Sequence, residues 1–168
     1  PTRAQPPQPT PSEKAALVLQ KMHDENIAPQ KALEDGILTK DVLLFVLGEN
    51  GLLDTQPGQW QNTPETAAWT QLLMEKFPEA VAKPDELPTG VQMKIARWYF
   101  AKNDKRGAEI MENILKNLSR ENPDQMTASN VISLLANYYA GVGETEKSIA
   151  TSLKAQEFIK DPAFLSSF

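Results

Sequence analysis

The chain has 168 residues, 40% apolar and 23% charged, with a formal net charge of −5, and so has enough apolar content to bury a core. It has no cysteine and one histidine, His23. That excludes disulfides, thiolate metal sites and cysteine nucleophiles, and gives no basis for a His-rich metal site and little for a Ser-His-Asp triad.

Charge is uneven along the chain. Residues 1–88 carry seven Lys/Arg against thirteen Asp/Glu, a net of −6, and residues 89–168 carry ten against nine, a net of +1. Basic residues gather only at Lys102, Lys105 and Arg106, which read as a solvated hairpin tip, so no nucleic acid is expected as a partner.

Pro1, Pro6, Pro7, Pro9 and Pro11, with Gln and Thr between them, make residues 1–11 a flexible tail or linker. The absence of an initiator methionine beside this tail suits a cut from a larger protein or an exported, mature one, and an extracytoplasmic location is one expectation. Residues 12–168 then read as one all-α domain. Ser12 is expected to cap a first helix running to about Asn26, burying Ala15, Leu19, Met22 and Asn26 or Ile27.

Pro29 suits the first turn of a short helix ended by Gly36, and Thr39 is placed to cap the next. That helix carries the longest apolar run, Val42 to Leu47. It is too short to cross a bilayer, so no direct membrane insertion is expected, and too apolar for a surface helix, so it reads as the core of the 12–77 part. Residues 54–62 read as loop, with Trp60 expected to pack over that core. Thr63-Pro64-Glu65 start a helix that passes Trp69, Leu72, Leu73 and Met74 and stops at Phe77, before Pro78. Pro78, Pro84 and Pro88 make residues 78–88 a stiff connection with at most a short helix. Four helices follow at about 90–102, 105–120, 127–140 and 145–160.

In that second half a pattern occurs twice, 40 residues apart: Ile95-Ala96-Arg97-Trp98-Tyr99 and Leu135-Ala136-Asn137-Tyr138-Tyr139. Nine residues after each tyrosine a small residue, Ala108 or Ser148, follows a short polar turn made by Asn103-Asp104 or Gly143-Glu144. A small residue facing a large one lets two antiparallel helices approach closely. The pattern resembles the tetratricopeptide repeat over roughly residues 89–162, with Ile132 in the place of the first aromatic and Ala155 and Pro162 completing the second copy. Gln92 and Glu112 stand where that family has large apolar residues. The spacing of 40 exceeds its usual 34, with the surplus expected in residues 119–126.

The resemblance implies antiparallel helical hairpins in a repeat-like, right-handed stack. In such a family the first helix of each hairpin lines a groove, and the corresponding positions are Gly90, Met93, Arg97 and Phe100, then Asn130, Ser133, Asn137 and Ala140. As partner-binding residues, Asn137 would pair with the amide edges of an extended backbone, Arg97 would hold a carboxylate, and Met93 with Phe100 would take an apolar side chain; Asn130 and Ser133 complete the set. Trp98-Tyr99-Phe100 covers most of a helix circumference, so at least one of these rings must meet a neighbouring helix or a ligand.

Catalytic constellations are lacking. Glu34-Asp35, Asp85-Glu86 and Glu109 with Glu112 read as solvated acids, and Gly48-Glu49-Asn50-Gly51 lacks the lysine of a phosphate loop. The expectation is a non-catalytic module or scaffold binding a peptide segment of another protein, with no cofactor and no metal, and with self-association left open. Two alternatives stay open beside it: the sensor of a regulator with residues 29–53 as a helix-turn-helix, and an enzyme whose active site needs more chain than these 168 residues.

Overall fold

The computed structural model describes residues 6–48 and 64–166, and among the described residues there are helices and turns but no strand. The all-α expectation holds. The chain divides into two compact units, Pro1–Ala82 and Lys83–Phe168, with the boundary inside the proline-rich stretch that the sequence marks as a connection.

The first unit contains α1 (Pro11–Asp24), α2 (Pro29–Glu34), α3 (Lys40–Gly48), α4 (Pro64–Lys76) and α5 (Pro78–Val81). Its first helix starts two residues earlier than the sequence suggests. The cap is Thr10, not Ser12: Thr10 Oγ1 accepts the Glu13 N–H at 3.2 Å and Glu13 Oε2 accepts the Thr10 N–H at 3.0 Å. Pro11 fits the first turn because it has no N–H to lose and its φ is already helical, so it belongs to the helix and not to the tail.

At the other end of α1, Ile27 N–H donates to Met22 C=O at 2.8 Å and Asn26 N–H to His23 C=O at 3.2 Å, with Asn26 at φ 51°. This paired capping returns the chain sharply and satisfies carbonyls that the helix leaves open. Gly36, at φ 73°, ends α2 in the same way. His23 is 85% exposed beside Asp24, the ordinary surface histidine that its sequence neighbours suggest.

α3 is the centre of this unit. Leu43, Val46 and Leu47 are fully buried, and the helix packs on α1 and on α4, which buries Trp69, Leu72 and Leu73. α4 stops at Lys76, where Phe77 leaves helical dihedrals (φ −130°) ahead of Pro78. Thr63, Trp60 and the 54–62 loop lie outside the described residues, as do Glu49 to Gly51.

The second unit opens with a 3-10 turn, Pro84–Glu86, and continues through α6 (Thr89–Phe100), α7 (Arg106–Asn117), α8 (Gln125–Gly141), α9 (Thr145–Leu153), α10 (Ala155–Phe158) and α11 (Pro162–Leu165). α6 packs with α7 and α8 with α9, and α7 packs on α8. Both hairpins turn by one device. Asp104 N–H donates to Tyr99 C=O at 3.0 Å and Asn103 N–H to Phe100 C=O at 3.0 Å. Forty residues later Glu144 N–H donates to Tyr139 C=O at 2.8 Å and Gly143 N–H to Ala140 C=O at 3.2 Å. Asn103 (φ 53°) and Gly143 (φ 83°) take the left-handed position, which asparagine and glycine tolerate.

Between α7 and α8 the non-helical stretch is 118–124, so the helix resumes at Gln125, inside the 119–126 segment expected to hold the surplus. The last predicted helix is broken: Lys154 N–H bonds to Thr151 C=O at 3.1 Å, a tightened turn that separates α9 from α10.

The two polar residues in apolar positions both have partners. Gln92 is buried and its Nε2 donates to Leu87 C=O at 2.7 Å; Glu112 accepts the hydrogen bond of the buried Tyr139 hydroxyl. Gln92 is buried, and its partner removes most of the desolvation cost, whereas Glu112 is exposed and keeps its carboxylate in water.

Candidate interaction face

α8 is 17 residues long and contains no Asp, Glu, Lys or Arg, in a chain where 23% of residues are charged. Its start is fixed by Asp124, which accepts from Thr127 N–H (3.1 Å) and Thr127 Oγ1 (2.7 Å). Its buried side, including Val131, Ile132, Leu135 and Tyr139, faces the hairpin core. Asn130, Ser133 and Asn137 recur at three and four residues and therefore share the other side. Asn137 and Ala140 are exposed there, and Asn130 and Ser133 are half-buried. The Asn130 Nδ2 is buried and makes no hydrogen bond, a donor with capacity to spare.

Residues on α6 behave differently from their expectation. Met93 is 1% exposed and part of the core, so it cannot receive a ligand side chain in this conformation; an unbranched apolar side chain at this place fills space between helices instead. Arg97 is half-buried, as is Gly90. Phe100 is taken up by packing. Its ring stacks on Tyr138 of α8, with centroids 4.8 Å apart and planes at 26°, and Gly107 of α7 approaches so closely that an added Cβ would lie 2.7 Å from Phe100 Cδ1. Phe100 thus meets a neighbouring helix, as does Tyr99, whose ring centroid lies 4.4 Å from Arg106 Cζ of α7. Tyr99 is buried and lies edge-on to Trp98 at 5.2 Å, and Lys102 Nζ sits 4.3 Å from the Trp98 ring centroid.

The structure thus brings Phe100 to α8 beside the Asn137 turn, and withdraws Met93. Tyr138 is the residue the sequence reading passes over. Its signal is the aromatic pair Tyr138-Tyr139 at the place of Trp98-Tyr99, where one ring fills the hairpin core and the other points toward the preceding helix.

Electrostatics around the face are set at the hairpin turns. Arg106 Nε donates to both oxygens of Asp104 at 3.0 Å, and this pairing lowers the Asp104 carboxyl to about 2. Tyr139 is held neutral well above its ordinary range, first by burial and then by its bond to Glu112. Lys147 is raised by its bond to Glu144. All three shifts move their groups away from neutral pH, so Asp104 and Lys147 stay charged there and Tyr139 stays neutral.

Among the described residues, no three or more His, Cys, Asp or Glu are grouped to hold a metal ion, and no helix is long and apolar enough to cross a membrane. Comparison with protein-family models, with curated proteins and with solved structures gives no match.

Proposed function

We propose that this chain is a non-catalytic interaction module that holds an extended peptide segment of a partner protein against the outer side of α8, within two tetratricopeptide-like hairpins. The observation that carries this reading is the uncharged outer side of α8, exposed at Asn137 and Ala140 and half-buried at Asn130 and Ser133. Solubility alone favours charged residues on a long exposed helix face, whereas Asn130, Ser133 and Asn137 offer amide and hydroxyl groups that pair with a peptide backbone of any sequence. Identical capping of both turns and the packing of α7 on α8 support the repeat-like stack.

Peptide display against the full chain tests this. Asn137→Ala should weaken selected peptides by about tenfold or more, the range expected for a central contact, and leave the helical signal unchanged. Recovery of no peptide, or of peptides indifferent to Asn137→Ala and Ser133→Ala, would overturn the reading.

A further inference from the structure

α7 and α9 hold the same place in their hairpins but are covered differently. α7 packs on α8 and buries six of its residues, whereas α9 buries only Thr151. On the open side of α9, Ile149 and Leu153 lie one turn apart and are 57% and 59% exposed, with the small, exposed Ala150 between them. Single exposed apolar residues are ordinary, but a pair at helical spacing on one short helix makes a stripe.

The ends of this stripe carry opposite charges. Glu146 precedes it and Lys154 follows it; both are exposed, and neither forms an ion pair among the described residues. Lys147, in contrast, is turned away to Glu144 and lies over the Tyr139 ring at 5.4 Å. A helix with acid at its start, base at its end and an apolar centre is complementary to itself when reversed. Glu146 and Lys154 lie equally far from Ala150, so an antiparallel copy sets each acid beside the partner's base and each Ile149 near the partner's Leu153. A small side chain at the crossing point permits close approach of the two helices.

We propose that the occupant of this stripe is a second copy of the same chain, paired through α9 about a two-fold axis near Ala150. The helix is nine residues long, roughly 13 Å at about 1.5 Å per residue. The contact therefore belongs to the small class below about 1,200 Å², and the dimer is transient, forming as concentration rises. This surface is separate from the peptide-binding side of α8, so either proposal can fail without the other.

Sedimentation of the full chain from micromolar to millimolar concentration is the first measurement, and a shift from one protomer mass to two is expected. Ile149→Glu should raise the dissociation constant at least ~tenfold with the helical signal unchanged. Charge reversal is more discriminating. Glu146→Lys and Lys154→Glu should each weaken self-association, because each places like charges together at both symmetric contacts. An equimolar mixture of the two variants should restore the pair as a heterodimer, since every contact is then opposite in charge. A single protomer mass throughout the range overturns the proposal. So does a dimer indifferent to Ile149→Glu and to both reversals, or growth beyond two protomers, which would mean a head-to-tail contact. Failure of the mixture to recover also overturns it, because both variants keep the apolar stripe and differ only at its charged ends.

Discussion

The two hairpins of the second unit share a turn, a spacing and a sequence pattern, yet they are held differently. In α6–α7 the helices meet at Gly107, where an added Cβ would stand 2.7 Å from the Ala96 carbonyl oxygen. In α8–α9 the corresponding carbonyl, Ala136 C=O, accepts the Ser148 hydroxyl at 2.8 Å. The first hairpin closes on a missing side chain and the second on a hydrogen bond. The difference begins at the turns. Asp104 accepts the Arg106 N–H at 3.0 Å, and α7 starts two residues after it, whereas α9 starts directly after Glu144. Similar sequence thus specifies the turn, and the residues just beyond it decide how closely the helices approach.

The largest effect that would sharpen this comparison is at Phe100, which is half-buried and packs against both Tyr138 and Gly107. Phe100→Ala should lower stability by about 3 kcal/mol, read from denaturant midpoints. A small loss would mean that the ring does not join the two hairpins. Next is Gly107→Ala. The substitution gains up to about 1 kcal/mol of helix propensity, but the backbone carbonyl of Ala96 cannot rotate aside as a side chain can. Overpacking of ~1–3 kcal/mol should win, leaving a net loss. Ser148→Ala should cost about 1 kcal/mol, the worth of one hydrogen bond, and no loss at all would mean that the second hairpin does not close on that bond. At the turns, Gly143→Ala should cost about 1 kcal/mol because φ is 83°, while Asn103→Gly should change the midpoint by only a few tenths.

Much of this was legible in the residues. Helix starts and stops follow from prolines, glycines and periodic apolar positions; both hairpin turns appear where the sequence puts them, and of the run from Val42 to Leu47 the core takes Leu43, Val46 and Leu47 and leaves the other three half-buried. Ser148 meets the first helix of its own hairpin at the expected place. In the other hairpin the place of closest approach is Gly107, one residue before Ala108; both are small and both lie on the buried side of α7, so periodicity does not choose between them. The candidate binding set was less legible, for a physical reason. A family's groove positions say where a side chain starts on a helix, but whether it stays exposed depends on its neighbours. Met93 is covered and Phe100 is claimed by Tyr138, whereas Asn137 is open. The charge-free composition of α8 was visible in the sequence, and acquires meaning once the helix is seen to expose a face.

The smallest expected effect separates the hairpins by pH. Asp104 is depressed first by its side-chain bond to Arg106 and then by the Arg106 backbone N–H, so its contribution is present above the ordinary value of 3.8 and is lost as pH falls through about 2. In the second hairpin the shifts have the opposite sign. Tyr139 is raised by burial and by Glu112, and Lys147 by Glu144, so their contributions are complete below the ordinary values of 10.0 and 10.5 and are lost as pH rises above them. Acid should therefore loosen the first turn and alkali the second hairpin. Denaturant midpoints followed across pH should show Asp104→Asn flattening only the acid limb and Tyr139→Phe only the alkaline one. If either substitution altered both limbs, the hairpins would be electrostatically coupled, and their separate closure by Gly107 and Ser148 would no longer be enough to describe them.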